Sequence, residues 1–314
     1  MTIKIRPLET ADVPAVLPFL RTHHPYRVLT EEAVRWRMEH PTPHSTDLPL
    51  VATDPDGAIV GFTRSLLTLP EGREPHGLTF FTAIAERYRK DGDLAARLLT
   101  ASEESLVGRG ARTLRTEAAE EPVQMGGPML HEVALAHGYT EEETHHILGL
   151  DLSLLPPAPE PPPGVELRPF RDYADDPRPV YDLDRLASAD EPGAVPSAGF
   201  MTFEDWMNGP WNHPLSDLDL SLVFLHEGTP VGITCYASDR ETRMESSITG
   251  TLREYRGRGL AGYAKHTALL RARERGFTHA ATGNHEDNAP MLAINDRLGY
   301  SLLGKEIGYV KPVG

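Results

Sequence analysis

The stretch with the clearest chemical signature is LREYRGRGLAG, at positions 252–262, which is rich in glycine and arginine. Its glycines let backbone N–H groups approach a ligand closely, and a helix predicted to begin at its end adds partial positive charge. The stretch and the helix after it are basic because, against Glu254, they carry Arg253, Arg256, Arg258 and Lys265. These residue types at this spacing predict a cradle for a pyrophosphate group.

Two classes of protein use such a loop. Gly257–Gly262 satisfies the GxGxxG pattern of dinucleotide-binding proteins, and Glu286 lies at a suitable distance for a ribose contact. That pattern should open a doubly wound domain, but few residues follow it, and a predicted hairpin precedes it. A nicotinamide-dependent oxidoreductase is therefore the weaker interpretation. No Walker lysine with serine or threonine follows the loop, which argues against a nucleoside triphosphate site.

The other interpretation comes from a resemblance in two places. The string R-x-x-G-x-A at 256–261 resembles the pyrophosphate loop, Q/R-x-x-G-x-G/A, of the GCN5-related N-acetyltransferase (GNAT) family. The string N-x-x-M-x-x-x-N-x-x-x-G-Y at 288–300 is similar to that family's last motif, N-x-x-A-x-x-L-Y-x-x-x-G-F. The resemblance covers residues 165–314 by motif and residues 1–152 by pattern and repeat only. The whole chain thus resembles a tandem GNAT protein.

The resemblance implies that acetyl-CoA (coenzyme A) is the cofactor and that a primary amine of a small molecule accepts the acetyl group. Backbone groups of Thr249, Gly250 and Thr251 would pair with the pantetheine arm, and Asn288 would bond near the thiol end. The loop would hold the pyrophosphate through Arg256, Gly257, Arg258, Gly259, Leu260, Ala261 and Gly262. A non-catalytic module that senses coenzyme A or serves assembly is the alternative from another class.

Catalysis by direct amine attack needs a base. Glu245 stands eleven positions before Arg256 on a predicted strand, a spacing at which some GNAT enzymes carry their general base. A partly buried strand carboxylate has a raised pKa, which suits a base near neutrality, whereas a solvated strand glutamate would have no such role. Glu241 is a weaker rival. Asn295 stands where many family members have a tyrosine acid, so an acid would be dispensable or come from water or another tyrosine.

Short segments recur in the same order, roughly 160–170 positions apart, which predicts a duplicated domain. The pairs are IKIRPL with VELRPF, TEEAVRW with TFEDW, GAIVGFT with GTPVGIT, and HGY with LGY. The expected domains are residues 1–153, a GNAT-like domain with a degenerate cofactor loop, and residues 165–314, which bind acetyl-CoA. Residues 154–164, rich in proline, are the expected linker.

The predicted fold class is α/β with a mixed sheet, each domain being a central sheet flanked by helices. In the second copy, helical spacing predicts helices at 178–189, 202–208, 259–275 and 289–298. Alternating and β-branched segments predict strands at 165–169, 220–227, 231–237, 243–252, 278–282 and 301–309.

The first copy has a poorer loop. Its segment ERYRKDGDLA, at 86–95, keeps Arg89 and Gly92 but places Leu94 where the family has glycine or alanine. Asp91 and Asp93 would bring two carboxylates to a pyrophosphate. The segment MGGPM at 125–129 stands near where the counterpart of Asn288 is expected, and it contains no asparagine. The sequence therefore predicts that only the second domain binds coenzyme A tightly.

Composition limits the partners. The chain has 314 residues and a net charge of −15, which disfavours nucleic acid and suits either a cationic amine or plain solubility. One cysteine, Cys235, and no apolar run of about 20 residues predict a cytoplasmic protein without a membrane span.

No metal site is expected, because the spacing of His131, His137, His145 and His146 matches no common ligand pattern and surface positions suit them better. Cys235 is expected as a packed thiol, and Trp36 and Trp206 as core or acceptor-cleft residues.

Overall fold

The chain folds into two compact units, which are described here from a computed structural model. Unit 1 comprises Met1–His145 and Gly304–Gly314, and unit 2 comprises His146–Leu303. The structure describes residues 3–42, 44–70, 72, 74–90, 92–189 and 200–314. Within these ranges, no helix combines the length and apolar character that crossing a bilayer requires.

Unit 1 is a mixed sheet with helices on both faces. Its helices are α1 (Val13–His23), α2 (Glu31–Glu39), α3 (Asp93–Gly108) and α4 (Gly127–Ala136). Its strands are β1 (Lys4–Pro7), β2 (Ser45–Asp47), β3 (Leu50–Thr53), β4 (Ile59–Thr68), β5 (His76–Ile84), β6 (Thr113–Ala119), the first part of β7 (Thr140–Asp151) and the end of β13 (Ser301–Pro312). The strand order is β1-β3-β4-β5-β6-β13, with β2 paired to β4.

Unit 2 repeats this succession of elements. Its helices are α5 (Arg178–Ser188), α6 (Phe203–Trp206), α7 (Leu260–Glu274) and α8 (Ala289–Arg297). Its further strands are β8 (Val165–Pro169), β9 (Leu222–His226), β10 (Thr229–Ser238), β11 (Arg243–Thr251) and β12 (His279–His285), and their order is β8-β9-β10-β11-β12 followed by β7. The predicted fold class is confirmed: a mixed α/β sheet occurs twice, with the same order of helices and strands except for the short β2, which has no counterpart among the strands given for unit 2.

The unit boundaries differ from the predicted ones at two places. The end of the last strand belongs to unit 1, because Glu306–Pro312 pair antiparallel with Thr113–Ala119 of β6. The proline-rich segment lies inside unit 2, where the buried Leu155 packs in the core and the Pro156 carbonyl lies 2.8 Å from His266 Nε2. Proline keeps residues 155–164 out of helix and sheet; Leu155 and Pro156 are packed against unit 2, whereas residues 157–161, 163 and 164 are exposed.

Alternation along the strands of unit 2 separates its two cores. In β9, Leu222 and Phe224 pack on the side of α7, whereas Val223 and Leu225 pack on the side of α5 and α6. This follows because successive strand residues point to opposite faces of a sheet. The hairpin between β9 and β10 turns at Glu227 and Gly228, whose φ values of 51° and 80° suit a type I′ turn.

Strand β11, helix α7 and strand β12 together position the glycine-rich loop at residues 252–262. β11 and β12 are parallel, and α7 connects them, as parallel pairs require. α7 begins where Gly259 takes a left-handed conformation (φ 77°), and it ends before Gly276 (φ 93°). Its buried face carries the predicted Leu260, Ala264, Ala268 and Ala272, and also Lys265, His266 and Leu269.

Candidate active site

A cavity opens in unit 2 where β11 and β12 separate. The two strands pair only over Arg243–Ser246 and His279–Thr282, although β11 continues to Thr251 and β12 to His285. The cavity has a volume of about 670 Å³ and is lined by both strand ends, by the start of α7 and by α8. Where two strands separate, the backbone N–H and C=O groups that face the gap have no partner strand. A ligand rich in amides can pair with these groups.

The glycine-rich loop forms the mouth of this cavity. Gly257 and Gly259 both have positive φ, and a Cβ at Gly257 would meet no atom within 4 Å. The N-terminus of α7 faces the cavity through Gly259, Leu260 and Ala261, where the first N–H groups of a helix have no intrahelical partner. Two arginines are anchored at the mouth: Arg256 Nε donates to the Thr251 carbonyl (2.9 Å), and Arg258 Nη2 donates to the Glu254 carbonyl (3.1 Å).

Most of the predicted cofactor residues lie together on the wall of this cavity. The lining includes Thr249, Gly250, Thr251, Arg256, Gly257, Arg258, Gly259, Leu260, Ala261 and Asn288. Asn288 is also the N-cap of α8, and its Oδ1 accepts the Met291 N–H at 3.3 Å. Gly262 is not one of the described lining residues; a Cβ there would lie 3.9 Å from Ile294 Cγ2 of α8.

Glu245, the predicted base, lies one residue before the strands separate. It is half-buried, and its neighbours in the sheet are Ala237 of β10 and Ala281 of β12. Met244 packs in the core on the side of α7, so Glu245 points to the opposite face, which α5 covers. Glu245 is not one of the described residues that line the cavity. Its rival Glu241 is exposed in the turn before β11.

Asn295 is fully buried beneath the cavity. Its Nδ2 donates to Asn284 Oδ1 at 2.6 Å, and Asn284 in turn lines the cavity. Asn295 therefore orients an amide at the cavity wall, and an amide side chain does not titrate near neutral pH.

Lys265 is the lining residue whose position the sequence analysis missed, because it was grouped with the basic loop. Its side chain is 1% exposed, and its Nζ lies 3.3 Å from Ser246 Oγ. Burial lowers the pKa of Lys265 to about 7. A lysine on the same helix face as Ala264 and Ala268 was the available signal, since a lysine on an apolar face is almost never fully buried unless it is paired.

The corresponding gap in unit 1 is bridged by the side chain of Gln124. β5 and β6 pair over His76–Thr79 and Thr113–Thr116 and then separate. The buried Gln124 bridges the separated ends: its Oε1 accepts from the Ala119 N–H (2.8 Å), and its Nε2 donates to the Thr82 carbonyl (2.9 Å). Gly126, not an asparagine, is the N-cap of α4.

The unit 1 loop also differs from its counterpart. Arg89 Nε donates to the Ile84 carbonyl at 2.8 Å, so this guanidinium is held against the strand end. Asp93 stands in the first turn of α3, 3.8 Å from Arg97. Asp91, whose carboxylate entered the sequence prediction, lies outside the described residues.

The remaining candidates lie in packed surroundings. Trp206 is 1% exposed, and its Nε1 donates to Asp184 Oδ2 at 2.8 Å, whereas Trp36 is half-buried and stacks on His40. Burial raises the pKa of the Cys235 thiol. The four histidines predicted at the surface are each half-buried: His131, His137, His145 and His146. In the part of the chain that the structure describes, no group of three or more His, Cys, Asp or Glu side chains could hold a metal ion.

Comparison with known proteins finds a similarity in the part of the chain around this cavity. Residues 180–300 match the model of the acetyltransferase (GNAT) family. Over these residues unit 2 is similar to a GNAT domain. The cavity, the glycine loop and α8 all fall within the matched residues. No curated protein matches the chain by sequence.

Solved structures extend the likeness to the whole chain. A tandem GNAT protein from the clavulanic acid biosynthesis pathway, solved without AcCoA, has a TM-score of 0.73 and 21% identity, with 100% of this chain and 99% of that one covered. A GCN5-related N-acetyltransferase from Sphaerobacter thermophilus has a TM-score of 0.70 and 19% identity, with 99% and 95% covered. A GCN5-related glucosamine N-acetyltransferase region of a fungal GH3 β-N-acetylglucosaminidase has a TM-score of 0.67 and 15% identity, with 98% and 38% covered. At these identities the likeness establishes the tandem GNAT fold.

A first prediction concerns Lys265 and stability. The unfolded chain keeps this proton up to about pH 10.5, whereas the folded chain releases it near pH 7. Because the unfolded state binds more protons in this window, the free energy of unfolding rises with pH from 7 to 10.5, by up to about 1.4 kcal/mol per pH unit. Urea titrations should show this rise in the wild type and its loss in Lys265→Met. The exposed Lys4→Met is the control and should keep the rise.

Proposed function

We propose that this protein transfers the acetyl group of acetyl-CoA to a primary amine of a small molecule, with the active site in unit 2. The observation that carries the proposal is the cavity between the separated ends of β11 and β12, with a glycine-rich, arginine-bearing helix start at its mouth. One end of such a cavity suits phosphates and the other end suits an amide-rich arm, which are the two parts of coenzyme A.

The residues present fit this donor. Gly257 and Gly259 leave room for a phosphate beside the backbone, and the N–H groups at the start of α7 point to the same mouth. Thr249–Thr251 would pair their backbone with the pantetheine amides, and Asn288 lies across the cavity on α8. Acetyl-CoA supplies an activated thioester when it is bound. The chain's contribution is to position the amine and to stabilise negative charge on the carbonyl oxygen through strand N–H groups.

The acceptor class rests on weaker support from charge and from likeness. A net charge of −15 attracts an ammonium over a long range. The fungal region of the same fold is described as a glucosamine N-acetyltransferase, and glucosamine is a small primary amine. A cytoplasmic location is part of the proposal, since a single cysteine is compatible with a reducing compartment.

The test is native mass spectrometry of the purified protein with coenzyme A, acetyl-CoA and NAD, followed by a thiol-release screen of amines with acetyl-CoA. We expect coenzyme A and acetyl-CoA to bind and at least one amine to release thiol. Binding without release by any amine would favour a coenzyme A-sensing module, and binding of NAD alone would favour the oxidoreductase.

Substitution at the loop glycine provides the second prediction. In Gly259→Val, a side chain stands where the phosphate needs the backbone, so the affinity for coenzyme A should fall about 10- to 100-fold, as expected for losing a charged hydrogen bond. Isothermal calorimetry measures this fall. Gly276→Val is the matched control, because Gly276 has a similar φ (93° against 77°) at the other end of α7, with nothing within 4 Å.

Both variants should lose similar stability, since both force a β-branched residue into the left-handed region. Only Gly259→Val should lose affinity. If both variants bound coenzyme A with equal affinity, this loop would not be the binding site for coenzyme A.

A further inference from the structure

The closed end of the unit 2 cavity contains a buried amine. Lys265 lies on α7, lines the cavity, and is 3.3 Å from Ser246 Oγ through its Nζ. Ser246 and Thr282 form the last pair of β11 and β12 before the strands separate. The amine therefore stands at the point where the gap between the strands begins.

This end is opposite to the loop. Lys265 follows Gly259 by six residues on α7, which is about 9 Å along a helix axis. A ligand whose phosphates bind at Gly259 and whose arm follows Thr249–Thr251 has its other end directed toward Ser246. In the donor of the proposed function, that other end is the sulfur.

The residue type at this position is informative. The chain contains five lysines among its 31 basic residues, and Lys265 is the only one between positions 91 and 304. Arginine, which the chain uses at most basic positions, stays charged at every accessible pH, whereas lysine can release its proton when buried. A group that must exchange a proton would require lysine here.

The surroundings of Lys265 contain no carboxylate that would fix its charge, among the residues that the structure describes. The titratable groups that face it are phenols. Tyr300 of β13 has its ring centroid 5.9 Å from Nζ, and Tyr236 of β10 packs in the same core. Burial raises the pKa of both Tyr236 and Tyr300, so neither is an acid near neutral pH. Burial alone lowers the pKa of Lys265 to about 7.

We propose that Lys265 is the proton donor to the leaving thiolate, in place of the tyrosine that Asn295 replaces. The inference rests on the proposed function of the same site. As the amine nitrogen forms its bond to the acyl carbon, the carbon–sulfur bond breaks and Lys265 Nζ gives its proton to the sulfur. The amine's own proton goes to the base, and water reprotonates Lys265. With a thiol pKa of about 8.5, this proton transfer is downhill from an ammonium that titrates near 7.

Nuclear magnetic resonance tests the inference without an acceptor. With lysine labelled by ¹³C at Cε, the protein gives five signals, and Lys265→Arg identifies the one of interest. If that variant does not fold, arginine substitutions at Lys4, Lys90, Lys305 and Lys311 identify the signal by elimination. The probes are coenzyme A sulfonate, which has a permanently charged sulfonate in place of the thiol, and desulfo-coenzyme A, which has a hydrogen there.

We expect the Lys265 signal to titrate near pH 7 in the free protein. Coenzyme A sulfonate should raise that midpoint by about one pH unit or more, because an anion beside an ammonium favours the charged form. Desulfo-coenzyme A, which keeps the other contacts, should not raise it. A midpoint that the sulfonate leaves unchanged, or that both ligands raise equally, would overturn the role of Lys265 while leaving the proposed function intact.

Calorimetry on the same samples distinguishes a failure of the proposed function from a failure of the inference about Lys265. If neither ligand binds, the proposed function fails and the inference fails with it. With an amine found by the thiol-release screen, Lys265→Met should lower kcat about 10²-fold or more with little change in the KM for acetyl-CoA. The wild-type kcat should decline as pH rises above 7, and Lys265→Met should lack that decline; a variant that keeps it would also overturn the role.

Discussion

Replacing Glu245 by glutamine should lower turnover by about 10²–10⁴-fold while the affinity for acetyl-CoA changes little. The carboxylate would accept the proton of the attacking ammonium, and glutamine keeps the size but not the basicity. The structure places Glu245 half-buried on β11, one residue before the strands separate. Its side chain points to the face that α5 covers, opposite to that of Lys265.

This arrangement would separate the two proton transfers across the sheet. An amine approaching from the side of α5 and α6 would lose its proton to Glu245, and the sulfur would receive a proton from Lys265 on the side of α7. The carboxylate and the amine act at neighbouring positions of β11, because Lys265 contacts Ser246, the residue that follows Glu245. Loss of either group should therefore reduce kcat without removing the donor site.

The measurement is thiol release with the amine that the screen identifies, across a pH range, together with calorimetry for acetyl-CoA. Glu241→Gln is the matched control, because Glu241 is exposed in the turn before the same strand. It should retain wild-type kinetics. If Glu245→Gln lost less than about threefold at every pH, Glu245 would not be the base.

The sequence predicted the elements of unit 2 well, because each depends on local patterns. The predicted helix at 259–275 is Leu260–Glu274, and the predicted strand at 165–169 is Val165–Pro169. Glycine at both ends of α7 and alternation in the strands determine these bounds within the segment itself. The loop was predicted for the same reason, since its glycines and arginines are contiguous.

What the sequence did not predict depends on contacts between distant residues. The end of β13 pairs with β6 of unit 1, which no pattern within either strand specifies. Lys265 looked like one more basic residue after the loop, and only Ser246, 19 positions earlier, shows that it lies inside. The sequence did not indicate the role of Gln124 either, because its partners Thr82 and Ala119 lie on two different strands.

The same non-local contacts support the last prediction: each chain should bind one coenzyme A tightly, in unit 2. In unit 1, Gln124 already occupies the Thr82 carbonyl and the Ala119 N–H at the separated strand ends, where a pantetheine arm would need such groups. Arg89 is held by the Ile84 carbonyl, and Asp93 places a carboxylate at the helix start, where a phosphate would bind. A ligand would have to displace the first contacts and meet the repulsion of the second.

Calorimetry with coenzyme A should therefore give a stoichiometry near one per chain, with any second site at least about 100-fold weaker, the equivalent of two lost hydrogen bonds. Gly259→Val should remove the tight site, whereas Arg89→Gln in unit 1 should leave it unchanged. Two equivalent tight sites in the wild type, or one tight site that survives Gly259→Val, would place coenzyme A in unit 1 and contradict the prediction. The contrast between the two variants decides it, because each changes one loop and leaves the other as it is.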